Sequence, residues 1–222
     1  EEKIGFRHPV MFPKHSFLDP NYTKSVPSNY TAFGIVDLVA HSLEAWFGEG
    51  EADLSDRFVV SIIQEAFDEG PRLMKDLENY THRERIMWAA TNALNDTTMH
   101  GRLSGDWGVH GLGHTLSYLF DTAHGATLSI VYPSWMRQLA KKNPARIQKL
   151  GNELFGIDSV EETISGFENY FKVLGSPIKA REAGIAAEKK QEILDHMNKN
   201  RISGLHIKLD SQDREEIVDM MM

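Results

Sequence analysis

Two helix-spaced pairs carry the chemistry that this sequence could do. Asp37 and His41 stand four residues apart in Gly34-Ile-Val-Asp37-Leu-Val-Ala-His41, so on a helix their heads lie one above the other and can reach one point. The apolar stripe Val36, Ala40, Leu43 and Phe47 runs beside them. Both are thereby set at the edge of a buried face, where a carboxylate needs a compensating partner. His110 and His114 repeat the spacing in Trp107-Gly-Val-His110-Gly-Leu-Gly-His114, and His124 follows past a turn signal at Asp121-Thr122 that lets the chain fold back. A lone histidine of this kind is more often a satisfied core or turn residue. A helix face with Asp and His, a second helix with His and a turn with His, all in one chain, point instead to a metal site.

Composition narrows that site. The 222 residues include ten His and no Cys, which removes disulfide scaffolds, thiolate nucleophiles, Fe–S clusters and Cys-ligated zinc. Nitrogen and oxygen must therefore bind any metal. Three imidazoles and a carboxylate suit Zn2+, Fe2+, Mn2+ or Ni2+, and not Ca2+ or Mg2+, which take oxygen ligands. A metal so held either polarises a substrate oxygen as a Lewis acid or turns bound water into a nucleophile. The first is the chemistry of alcohol and aldehyde redox reactions. The second is hydrolysis, for which Glu44, one turn beyond His41, is the obvious general base. Spacing leaves both open, beside a third reading of a non-catalytic helical domain with structural histidines. His8, His15, His82, His196 and His206 have no partner spacing and read as surface residues, while His100 stands nearer the cluster.

The charge of −8 gives no ground for nucleic-acid binding, which draws on clustered Lys and Arg. No apolar run approaches the roughly 20 residues of a membrane span, and the start has no signal-peptide apolar region, so the chain reads as cytoplasmic.

The elements that must position these residues are almost all helical. Prolines at 9, 13, 20 and 27 prevent a long helix in residues 1–29, which read as an extended segment with one short strand near 9–18, then a loop. From Ser28-Asn29 onward apolar residues recur at three and four, giving eight or nine helices in a single all-α domain over residues 30–222. One helix should close at Gly70-Pro71, and capping signals stand at Thr81 with Glu84, Asn143-Pro144, Ser159 with Glu162, and Asp210-Ser211. Ala186 to Asn198 reads as an amphipathic helix, Pro133 as a kink, and Trp46, Phe47 and Trp88 as core. Glycines at 108, 111 and 113 cost a helix roughly 1 kcal/mol each, so something must approach the backbone closely there.

Gly34-Ile-Val-Asp37-x-x-x-His41-x-x-Glu44, with His110-Gly-Leu-Gly-His114 and His124-Gly125, resembles the metal-binding half of the iron-containing (group III) alcohol dehydrogenases. The similarity extends from Phe17-Leu-Asp19-Pro20 through Ser25-Val-Pro27, Met87-Trp88-Ala89-Ala90-Thr91 and Pro133-x-Trp135 to Leu174-Gly-Ser-Pro177. It is nearest to the butanol dehydrogenase and broad-specificity aldehyde reductase subgroup. The resemblance implies that Asp37, His41, His110 and His124 hold a divalent metal, Fe2+ first and Zn2+ second. It implies that His114 is a further active-site histidine, that His114 and His124 lie beside the nicotinamide of NAD(P), and that the substrate is a small alcohol or aldehyde. The family's Gly-Gly-Gly-Ser phosphate loop has no counterpart here, so the chain is expected to be the catalytic half of a two-domain α/β plus α enzyme, lacking the N-terminal nucleotide-binding domain. The absent initiator Met and the terminal run Met220 to Met222 carry the same expectation of a fragment. An exposed apolar patch is then expected where that domain would dock, a surface through which copies could form a homo-oligomer.

Overall fold

The helical period that begins at Ser28 produces nine α-helices among the described residues, 1–5 and 8–222 of a computed structural model. The first, α1 (Ser28–Trp46), follows Pro27 and buries Ile35, Val36, Leu38, Val39, Ala40, Leu43, Ala45 and Trp46. A helix apolar on nearly every side belongs at the centre of a bundle, and α1 packs against α2 (Asp53–Lys75), α3 (Tyr80–Leu94) and α5 (His124–Ala140). The second central helix, α5, is buried over most of its length and packs on α4 (Gly108–Phe120), α7 (Val160–Val173) and α9 (Ser211–Met221). It passes Pro133 without a break. Between them α6 (Pro144–Phe155) lies against α7, and α8 (Lys190–Lys199) against α4 and α9. One core, with Trp46, Trp135, Phe167 and Phe171 among its largest side chains, runs through the whole. None of these helices is long and apolar enough to cross a membrane.

Several local expectations need correction. The strand near 9–18 is a 3-10 turn at Pro9–Met11 followed by irregular chain, and Phe17 is 96% exposed. A strand needs a neighbour to take its backbone hydrogen bonds, and the described residues offer no second strand, only an isolated antiparallel bridge between Glu49 and Ser104. The second helix runs through Gly70-Pro71 to Lys75. Gly70 is there for contact, since a Cβ would meet the Tyr170 hydroxyl at 2.5 Å and Ile35 at 3.3 Å, and burial of Leu73 beyond it offsets the proline. Asn79, not Thr81, caps α3 by accepting the His82 N–H. Trp88 is 61% exposed, because Ala89 and Ala93 define the packed face of α3 and Trp88 stands about 100° round from Ala89. The amphipathic stretch after Ala186 starts as a 3-10 turn, Ala187–Lys189, before α8. Ser159 accepts the Glu162 N–H, Asp210 and Asp213 form a reciprocal capping box, and Pro144 opens α6, as their residue types predict.

Candidate metal centre

Three packing decisions place the cluster. On α1 the four-residue spacing stacks Asp37 and His41, with His41 Nε2 3.6 Å from Asp37 Oδ1. The α5 N-terminus comes against α1 through Gly125, where a Cβ would fall 2.1 Å from the Phe33 carbonyl oxygen. That contact sets His124, the first residue of α5, beside Asp37, one turn beyond Phe33. The costly glycines of α4 are likewise sites of close approach: Gly108 to the Asp106 carboxylate and Gly204, Gly111 to Ile202, and Gly113 to Thr127 of α5. They let α4 lie tight against α5 and the 202–207 segment, which carries His110 to the other side of Asp37.

The result is convergence on one oxygen. Asp37 Oδ1 has His110 Nε2 at 3.5 Å and His124 Nε2 at 3.5 Å, in addition to His41 Nε2. These separations are longer than hydrogen bonds, and both Asp37 Oδ1 and His110 Nε2 are buried with no hydrogen-bond partner among the described residues. Ligand atoms around a tetrahedral ion held at 2.0–2.2 Å lie about 3.4 Å apart, so the spacing is that of groups arranged around an ion. Asp37, His110 and His124 each place a ligand atom within 4.8 Å of the others, and His41 lies outside that tighter set. The His41 and His110 rings stack at 4.9 Å. His114, half-buried one turn along α4, has its ring 5.3 Å from that of His124.

Electrostatics suits the same use. Burial lowers the pKa of His41, moves His124 down to about 4 with the help of His110 and His114, and lowers His114, which leaves their lone pairs free at neutral pH. Burial would raise Asp37, but His110, His41 and His124 outweigh it and hold the carboxyl below the usual range. His110 is the exception. Burial works to lower it, yet the Asp37 and Glu44 carboxylates push it up to about 9.

Glu44 is not the free general base that a hydrolytic reading requires. Its side chain is 1% exposed, one oxygen is 2.7 Å from His110 Nδ1, and the other accepts the Trp107 N–H. Trp107, with its ring centroid 5.3 Å from that of His110, adopts a positive φ of 62° beside the cluster. Sequence reasoning missed Asp106 altogether; only its place before Trp107-Gly108 hinted at a helix cap. Its buried carboxylate accepts N–H bonds from Gly108, His206 and Ile207. His82 also departs from expectation, since its Nδ1 lies 2.6 Å from buried Glu69. His196 stacks on Tyr118 at 5.1 Å. His100 takes no part in the cluster: it is exposed, and its carbonyl accepts the Ser55 hydroxyl.

An all-helical domain with one carboxylate and three imidazoles gathered where its two central helices and α4 meet is a narrow class of protein. This chain belongs to the Fe-containing alcohol dehydrogenase family, whose C-terminal region matches residues 31–222. It is 33% identical over 222 residues to the probable NADH-dependent butanol dehydrogenase 1 of Bacillus subtilis, covering 96% of this chain and 57% of that protein. Against the NADPH-dependent aldehyde reductase YqhD of Escherichia coli the identity is 28% over 211 residues, with 92% and 54% covered. The crystal structure of NADH-dependent butanol dehydrogenase A from Thermotoga maritima superposes with a TM-score of 0.93 at 31% identity, over 99% of this chain and 59% of that one. The chain thus spans little more than half the length of these relatives.

Proposed function

We propose that this chain is the metal-binding half of an NAD(P)-linked alcohol dehydrogenase or aldehyde reductase, with Asp37, His41, His110 and His124 as the metal ligands. The observation that carries this reading is the convergence of three imidazole nitrogens within 3.6 Å of the buried Asp37 Oδ1, which has no hydrogen-bond partner among the described residues. A bound divalent ion, iron(II) or zinc, would supply Lewis acidity toward the oxygen of a small alcohol or aldehyde. The protein residues do the rest. Asp37 balances the charge of the ion where burial would otherwise leave it uncompensated. His114, kept neutral and adjacent to His124, offers a hydrogen bond to the substrate or nicotinamide, and His124 lines the side on which the nicotinamide approaches. Trp107 closes the wall beside His41 and His110. Hydride exchange belongs to NAD(P), held by a nucleotide-binding unit outside these residues. The exposed side chains of Val10, Met11, Phe12 and Phe17 suit the face on which such a unit would rest.

The test is elemental analysis of the anaerobically purified intact protein beside Asp37→Ala, with NAD(P)H-dependent reduction of butanal followed in parallel. About one iron or zinc per chain, lost together with activity in the variant, is the expected result. Equal metal content in both proteins would overturn the ligand assignment, and reductase activity that survives metal removal would overturn the Lewis-acid role.

A further inference from the structure

Beside the cluster, the Glu44 carboxylate is fully engaged with protein groups. Its Oε1 stands 2.7 Å from His110 Nδ1 and also accepts the backbone N–H of His110 at 3.2 Å, while Oε2 accepts the Trp107 N–H at 2.5 Å. One carboxylate therefore grips both the ring and the backbone of the same histidine, together with the residue that precedes α4. An ionised carboxylate only accepts hydrogen bonds, so the ring nitrogen facing it must be the one that carries hydrogen. The opposite nitrogen, Nε2, then faces Asp37. His124 has no such partner among the described residues, where its buried Nδ1 is unpaired.

The grip is itself anchored. The Asp106 N–H donates to the Glu44 carbonyl at 3.0 Å, and the Leu103 N–H donates to the Glu49 carbonyl at 2.9 Å, which lays the segment before α4 along the end of α1. The Asp106 carboxylate then fastens the 204–207 segment over the start of α4 through the N–H groups of Gly108, His206 and Ile207.

We propose that Glu44 is a positioning residue of the metal centre: it keeps hydrogen on His110 Nδ1 and turns Nε2 toward Asp37, so that Nε2 is the nitrogen that gives up its proton when an ion arrives. This rests on the reading of Asp37, His41, His110 and His124 as ligands. A carboxylate behind a ligand imidazole locks ring orientation and raises the basicity of the nitrogen that binds, and removing such a partner typically weakens metal binding by about 10–100-fold.

Cobalt(II) is the probe, bound to the metal-free intact protein and titrated in competition with a chromophoric chelator. Glu44→Gln keeps the shape but sets an amide NH2 where only an acceptor fits. It should raise the cobalt dissociation constant by about 10–100-fold and shift the visible cobalt bands, which report ligand geometry and do not respond to global stability. Wild-type affinity and an unchanged spectrum in Glu44→Gln, with binding abolished in Asp37→Ala, would overturn the positioning role alone. If wild type and Asp37→Ala bind cobalt equally, the ligand reading falls and this inference with it. Should Glu44→Gln not fold, 15N NMR of the zinc-loaded wild-type protein decides: a proton on His110 Nδ1 supports the proposal, and its absence overturns it.

Discussion

Asp106 shows how far a buried side chain can be pushed when geometry needs it. It is 0% exposed, and burial together with nearby Glu44 raises its carboxyl to about 6 despite three backbone N–H donors. The unfolded value is near 3.8. The folded state therefore holds a proton that the unfolded state has lost, so the stability contributed is full below the unfolded value and disappears as pH rises through about 6. Asp106→Asn should flatten that part of the profile. Between pH 4 and 7 the wild type should lose of the order of 2 kcal/mol relative to the variant, read from urea unfolding at the two pH values. Asp56, Glu69 and Asp213, whose carboxyls are held low, push the other way in both proteins, which is why the difference between the two proteins is the quantity to measure.

At the level of elements, the glycines sort by what stands over them. Gly125 has the Phe33 carbonyl 2.1 Å from the position of a Cβ, and backbone cannot give way as a side-chain tip can. Gly125→Ala should push α5 off α1, cost about 3 kcal/mol or more, and move His124 from Asp37. Urea denaturation and metal content should fall together. Gly34 is the counter-case: it lies inside α1 one turn before Asp37, and among the described residues nothing stands within 4 Å of the position of a Cβ. Gly34→Ala should stabilise the fold by up to about 1 kcal/mol through helix propensity, seen as a small rise in melting temperature.

The molecule as a whole is tied together by a charge network that includes none of the cluster's residues. Asp56 of α2 receives Arg102 from the segment before α4 and Arg146 and Lys149 from α6, and the Arg146 guanidinium lies 3.9 Å over the Trp46 ring. The Arg102 side chain is 0% exposed, so losing its counter-charge leaves a buried cation. Asp56→Asn should cost about 3–5 kcal/mol in urea unfolding at pH 7, while metal content per folded chain stays at the wild-type level.

Helix class, the number of helices and the four-residue pairings of Asp37 with His41 and of His110 with His114 were legible because they rest on local rules. A period of three and four marks a buried face, and a spacing of four stacks two side chains whatever surrounds the helix. The same rules failed at Trp88, at Gly70-Pro71 and at residues 9–18, where the outcome depends on which neighbour is present. The sequence by itself determined that Asp37 and His41 share one face, that His110 and His124 lie on separate elements, and that only nitrogen and oxygen can bind an ion. Tertiary structure alone decided that Glu44 turns away from solvent to hold His110, and that Asp106 ties a segment about one hundred residues distant to the start of α4. Those roles come from contacts between segments far apart in the chain, and no local spacing encodes which distant backbone N–H a buried carboxylate will find.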